Sequence, residues 1–224
     1  MKKVILSIAV CLFVGTTASY AQLTKEQKKE RQELAKQTKK QLNEKANKDA
    51  RKEAKRLAKE GWKTVPGALP LEKQLDKSYL MQYEYTAEGF PKYIMAEGMS
   101  TAGNYDAGKM QALELAKQNL AGQIQTEITA LIENTVANSQ MEQGDAASLT
   151  QSVMASKNLI SQTVGRVVPI VETYRQVNGN NREVLVRIAY SIDMAKKVAR
   201  DAVRKDLEQK GDELHNKLDE LLGW

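Results

Sequence analysis

The residues with the chemistry for nucleophilic or metal-assisted catalysis are few in this chain of 224 residues. His215 is its one histidine and Cys11 its one cysteine. His215 falls on the polar side of a helical pattern, where a histidine is usually solvated. Ser-His and Cys-His nucleophile pairs need a positioned base, and zinc sites need several His or Cys ligands. The sequence therefore predicts no catalytic residue, no metal site and no cofactor.

Paired carboxylates are the other catalytic option, since glycosidases need only two acids at a suitable separation in a cleft. The candidates near a predicted strand-to-helix junction are Glu84, Glu88, Glu97 and Asp106. Their location alone recommends them, because acids are common on any surface. A carboxylate-based polysaccharide hydrolase is kept as an alternative function, and an amide at Glu97 or Asp106 would abolish its turnover.

Positive charge is concentrated in one segment. The chain carries a formal charge of +6, and residues 22–60 contain fourteen Lys or Arg against seven Asp or Glu. From residue 61 onward acids outnumber bases by three. The basic character of the protein thus belongs to the segment 22–60, whereas the remainder is mildly acidic.

This basic segment predicts a long charged helix from Leu23 to Lys59, because it lacks Gly and Pro and is rich in good helix formers. Its apolar stripe is narrow and rich in alanine, so it would bury little area alone. We expect the segment to be a contact arm. Its predicted contacts are cations for an acidic surface and leucines for a partner helix, namely Lys39, Lys40, Arg51, Lys52, Lys55, Arg56, Leu34, Leu42 and Leu57.

The arm's composition bears on its partner. Clustered cations suit anionic envelope lipids, glycolipids or other polyanions. The arm has no aromatic residue to stack on bases, and its acids interleave with its bases, so nucleic acid is not expected. It also has no Phe, Trp or broad leucine face to enter a membrane interface. The predicted partner is an envelope protein or an anionic envelope surface, with homo-oligomerisation left open.

The first 21 residues have the order of a cleaved secretory signal. Lys2 and Lys3 precede an apolar run, and small residues lead to Ala21. The run breaks at Gly15, well short of the roughly 20 apolar residues that a membrane span needs. Val10 stands where acylation of Cys11 would need a small residue. We therefore expect a periplasmic or outer-membrane-associated protein with no lipid anchor and no span after cleavage.

The rest of the chain predicts an α+β domain. Residues 61–91, punctuated by Pro and Gly, suit an irregular linker or wrap with one short strand. A strand at 92–100, a helix at 105–138 capped by Asn104 and a helix at about 145–164 follow. Alternating runs flank residues 178–181, which predicts a β-hairpin with an irregularity near Pro169. A final helix from Met194 to Leu222, capped by Asp193, completes an antiparallel sheet with helices packed on one face.

Three motifs within residues 92–192 carry a resemblance. They are the strand Ala96-Glu97-Gly98, the alanines that recur along the following helix, and the strand Val184 to Ile188. This pattern resembles the exported twenty-kilodalton outer-membrane lipoprotein (Lpp) type module, and the whole chain looks like exported proteins of unknown function from gut anaerobes. The resemblance implies a non-enzymatic envelope role and carries no catalytic residue. The predicted function is a structural or interaction protein of the envelope, with a polyanion-binding protein as a further alternative.

Overall fold

The computed structural model describes residues 25–87, 89–138, 141–165, 167–207 and 212–223. The predicted signal segment lies outside these residues. The described part contains eight helices and three strands. In chain order they are α1 Lys25–Asn43, α2 Lys48–Lys59, α3 Leu71–Gln82, β1 Tyr93–Ala102, α4 Tyr105–Ala137, α5 Gln143–Ala155, α6 Lys157–Thr163, β2 Pro169–Gln176, β3 Arg182–Ser191, α7 Ile192–Leu207 and α8 Asp212–Leu222.

The chain divides into two units, one ending at Glu44 and one beginning at Lys45. The first unit contains α1, whose described side chains are solvent-exposed. The second unit contains all the other elements. The first unit therefore ends at residue 44, whereas the predicted charged arm extends to residue 60.

The predicted continuous helix from Leu23 to Lys59 is interrupted at residues 44–47, between α1 and α2. The interruption has a tertiary cause. Ala46 and Ala50 are buried in the second unit, and Asn47 adopts non-helical backbone angles to cap α2. Good helix propensity is overridden here because packing and capping hold α2 in its own place.

The α+β class and the antiparallel sheet are confirmed. The sheet has three strands in the order β1-β3-β2, and both pairings are antiparallel. The hairpin turn falls at residues 178–181 as predicted, with Gly179 at a positive φ of 67°. A register shift between Pro169 and Val171 confirms the irregularity predicted in β2, which is an edge strand.

One face of the sheet carries the main core. Val184, Val186 and Ile188 of β3 are fully buried there, against α4 and the C-terminal helices.

Asn104 caps α4 as predicted, since its Oδ1 accepts a hydrogen bond from the Ala107 backbone N–H at 2.9 Å. The approach between β1 and α4 is very close, because a Cβ at Gly98 would lie 2.0 Å from the Ala112 carbonyl oxygen.

A second, smaller apolar cluster lies on the opposite face. Val171 of β2 is buried there, and Leu185 of β3 packs against it, because alternate strand residues point to opposite faces. The covering elements are α2 and α3. The sheet therefore has helices on the predicted face and a further helical pair behind it.

Helix α3 corrects the prediction of an irregular linker with a short strand at residues 61–91. Its buried residues Gln74, Leu75 and Ser78 have helical spacing, but the Pro and Gly residues on either side obscured it. Gln74 bonds outside the helix. Its Oε1 accepts from the Glu172 backbone N–H at 2.7 Å, and its Nε2 donates to the Leu69 carbonyl at 2.7 Å.

Two later helices also differ from prediction. The helix predicted at 145–164 is divided at Ser156, whose hydroxyl donates to the Ser152 carbonyl at 2.7 Å. The final helix begins at Ile192, and Asp193 lies in its first turn. The side-chain oxygen of Ser191 instead accepts a hydrogen bond from the Met194 backbone N–H at 3.3 Å. The residue that caps α7 therefore lies at the end of β3. Residues 208–211, between α7 and α8, lie outside the described residues.

Candidate functional site: a basic helix face

The sequence-predicted cations that the structure brings together lie on α2. The start of this helix is held by Asn47, whose Oδ1 accepts from the Ala50 backbone N–H at 2.8 Å. The backbone N–H and Nδ2 of Asn47 donate to Oδ1 of Asp76 on α3, at 3.0 and 2.6 Å. One asparagine therefore both caps α2 and joins it to α3.

The inner side of α2 is apolar. Ala50 is buried, and Ala54 and Leu57 are half-buried against the same small cluster as Leu75 and Val171. Helix–helix and helix–sheet contacts thus set the rotation of α2 about its axis. Because the apolar side is occupied, the opposite side of the helix must face solvent.

The outer side of α2 is rich in cations. At 3.6 residues per turn, positions 48, 52, 55 and 59 form one narrow stripe opposite the buried alanines, and positions 51 and 56 flank it. The side chains at all six positions are exposed. We call this set the basic face, and it consists of Lys48, Arg51, Lys52, Lys55, Arg56 and Lys59.

Five members of the basic face have no ion pair within the described parts of the chain, Arg56 being the exception. Arg56 contacts Glu53 and Glu60, each at 2.5 Å. The hydrogen bond from Arg56 lowers the pKa of Glu53, and the same contacts raise the pKa of Arg56. The charge of Arg56 is thus largely balanced by acids of the same helical segment.

Like charges stand next to each other along the basic face. Lys48 and Lys52 are four residues apart, as are Arg51 and Lys55, Lys52 and Arg56, and Lys55 and Lys59. Each such pair costs an isolated helix about 0.2–0.5 kcal/mol. The helix is retained despite this repulsion because its apolar side is anchored, and an anionic partner would relieve it.

Four of the remaining predicted contact residues belong to α1, and the fifth is Leu57 of α2. Lys40 is exposed on α1, which belongs to the other unit. The side chains of Leu34, Lys39 and Leu42 lie outside the described residues. Leu57, which was predicted to contact a partner helix, packs against the cluster beneath α2.

Sequence reasoning missed Lys48 and Lys59 as members of the face. The signal was present, since a helical wheel restarted at Asn47 places both in the stripe. The prediction assumed a single helix from Leu23, which continues the stripe through α1. It therefore did not show that a new unit begins at residue 45.

A cleft of about 360 Å³, lined by both polar and apolar side chains, lies beneath the basic face, between α2, α3 and the sheet. Its charged groups bond to one another. Arg187 pairs with Glu97 and donates through Nη1 to the Ser78 hydroxyl at 2.8 Å, and Arg175 stacks 4.7 Å from the Trp62 ring centroid. Burial, and after it Glu53, raises the pKa of Tyr79. These contacts connect the helical pair to the sheet.

Two of the acids considered for catalysis form ion pairs with different cations. Glu97 contacts Arg187, and Glu84 contacts Lys92 at 2.9 Å. Asp106 is in the first turn of α4, and Glu88 lies outside the described residues. The side chain of His215 is also outside them. Within the described residues no cluster of three or more His, Cys, Asp or Glu could hold a metal ion.

A further polar cluster joins α4 to β2 on the main-core face. The Tyr105 hydroxyl donates to Oε1 of Glu172, and Lys109 Nζ lies 2.8 Å from the same oxygen. The rings of Tyr105 and Tyr174 meet edge to face with centroids 5.3 Å apart. Burial, and after it the bond to Glu172, raises the pKa of Tyr105. This cluster orients α4 over the sheet.

None of the helices in the described part of the chain is long and apolar enough to cross a membrane. Comparisons with protein-family models, with curated proteins and with solved structures gave no match to this chain.

Proposed function

We propose that the protein is a non-enzymatic interaction protein of the cell envelope, which uses the basic face of α2 to contact an anionic envelope partner. The observation that carries this proposal is the arrangement of six cations on one side of a helix whose other side is anchored. The signal-like start of the chain and its resemblance to the Lpp-type module support the envelope location.

Anchoring matters to the proposed contact. A flexible basic segment loses conformational entropy when a partner orders it. The bond between Asn47 and Asp76 and the burial of Ala50 hold α2 before any partner arrives. The cations therefore form a preorganised charged surface about 18 Å long, at 1.5 Å per helical residue.

The test compares two variants with the same change in charge. The first replaces Lys48, Lys52, Lys55 and Lys59 by Gln and removes the stripe. The control replaces four exposed lysines of α1 by Gln, namely Lys28, Lys29, Lys36 and Lys40. The readout is the fraction of purified protein that sediments with isolated envelopes as salt is raised.

We expect the α2 variant to lose affinity by on the order of a hundredfold or more, since each cation near an anionic surface contributes about 1 kcal/mol. The control should bind nearly as the unchanged protein does, and circular dichroism should show that both variants are folded. Equal losses in the two variants would mean that net charge alone matters, and the proposal would be rejected. A loss confined to the α1 variant would assign the contact to α1.

A further inference from the structure

The outer side of α3 adjoins the basic face and has a different character. Helix α3 buries Gln74, Leu75 and Ser78, so the side opposite them faces solvent. Leu80 and Tyr83 lie on that side, and their exposed fractions are 67% and 68%. Single exposed apolar side chains are common, but these two are three residues apart and so lie next to each other on the outer side of α3.

The helix that carries these two residues is bonded to the start of α2. Asp76 of α3 bonds to Asn47 at the start of α2, which fixes the junction of the two outer surfaces. Leu80 is one helical turn beyond Asp76, and Lys48 directly follows Asn47. Lys77, exposed and without an ion pair in the described residues, adds a cation on the α3 side. Along α3, Leu80 and Tyr83 therefore follow the residue that joins this helix to the start of the basic face.

We infer that the anionic partner is a phospholipid bilayer surface, on which the basic face meets headgroup phosphates while Leu80 and Tyr83 enter the interfacial region. This inference rests on the proposed function and deepens it. Binding to membrane interfaces adds buried apolar area to the attraction between cations and anionic lipids. Tyrosine suits that depth, because its ring is apolar and its hydroxyl stays with water.

The apolar residues favour a bilayer over a soluble polyanion. A sulfated or phosphorylated polymer is bound through its charges, and it has no hydrocarbon region to receive Leu80. Tyr85 and Phe90, which lie in the short hairpin that follows α3, are also exposed, with exposed fractions of 51% and 67%. Its own hydrogen bonds hold it, including those between Thr86 and Phe90 and from the Lys92 N–H to the Glu84 carbonyl.

The experiment measures sedimentation of the mature chain with vesicles of phosphatidylglycerol and phosphatidylcholine, with vesicles of phosphatidylcholine alone, and retention on heparin as a soluble polyanion. One variant is Leu80→Ser with Tyr83→Ser, which leaves the charge unchanged. Its matched control is Met110→Ser with Met154→Ser, two methionines on α4 and α5 that are 73% and 64% exposed. The four-lysine variant of α2 is measured alongside.

We expect binding to the anionic vesicles and little to phosphatidylcholine alone. The Leu80/Tyr83 variant should bind the anionic vesicles about tenfold or more weakly, from the loss of buried apolar area, with unchanged heparin retention. The methionine control should match the unchanged protein. The four-lysine variant should lose both vesicle and heparin binding.

Three results would overturn the inference, and they differ in what they say of the proposed function. Heparin binding that depends on the α2 lysines, without vesicle binding, would reject the bilayer and leave the anionic contact standing. Vesicle binding unaffected by the Leu80/Tyr83 variant would reject apolar insertion. Failure to bind vesicles, heparin or isolated envelopes would reject both proposals together.

Discussion

Replacing Gly98 by Ala tests the closest approach in the fold. The added Cβ would lie 2.0 Å from the Ala112 carbonyl oxygen and 2.5 Å from the Ala116 backbone nitrogen. Ordinary contact begins at 3.4 Å, which leaves a shortfall of about 1.4 Å at the carbonyl. Both atoms belong to the backbone of α4, so no side-chain rotation can relieve the clash. Either β1 or the 33-residue helix must move.

The expected cost follows from this geometry. Overpacking a core usually costs about 1–3 kcal/mol. Here the obstructing atoms are helical backbone in a close-packed interior, so we expect at least about 3 kcal/mol. For a domain of this size that loss lowers the Tm by roughly 6–12 °C.

Urea and thermal unfolding followed by far-ultraviolet circular dichroism would measure the effect. Gly103→Ala is the matched control, because its Cβ would meet nothing within 4 Å. The control should change the free energy of unfolding by less than about 0.5 kcal/mol. A cost below about 1 kcal/mol for Gly98→Ala would refute the close packing of α4 on β1.

Two further predictions concern the polar contacts. The raised pKa of Tyr105 means that the unfolded chain loses the hydroxyl proton near pH 10.0 while the folded chain keeps it. The contribution of Tyr105 to the free energy of unfolding is therefore fully present below pH 10, and it falls above pH 10 by at most about 1.4 kcal/mol per pH unit. In urea titrations above pH 10, the Tyr105→Phe variant should lose less stability than the unchanged protein. Equal losses in the two proteins would contradict the assignment. Asn47→Ala removes the cap of α2 and the bonds from Asn47 to Asp76, so the free energy of unfolding should fall by about 1–2 kcal/mol in urea unfolding. An unchanged urea midpoint would show that α2 is held by other contacts.

Features with a local cause were predicted well from the sequence. The hairpin at residues 178–181 depends on the positive φ that Gly179 adopts, and the alternation of β1 and β3 identifies their buried faces. The periodicity and N-cap of α4 likewise lie within one segment. Each of these signals acts between residues that are neighbours along the chain.

The candidate site was predicted only in part. Arg51, Lys52, Lys55 and Arg56 were identified from charge alone, and the structure places them on one helix face. The face is directed toward solvent because Leu57, on the inner side of α2, packs against the small apolar cluster. Neither the anchoring nor the adjoining Leu80 follows from composition.

By itself the sequence determined the α+β class, the hairpin, the long helix and the concentration of positive charge near the beginning of the chain. The interruption at residues 44–47, the burial of α3 behind the sheet and the second apolar cluster depend on tertiary contacts. Their causes are bonds between residues far apart in sequence, such as Asn47 with Asp76 and Gln74 with Glu172. Periodicity reports which side of a segment is apolar, but it does not report what that side meets, because the partner lies elsewhere in the chain.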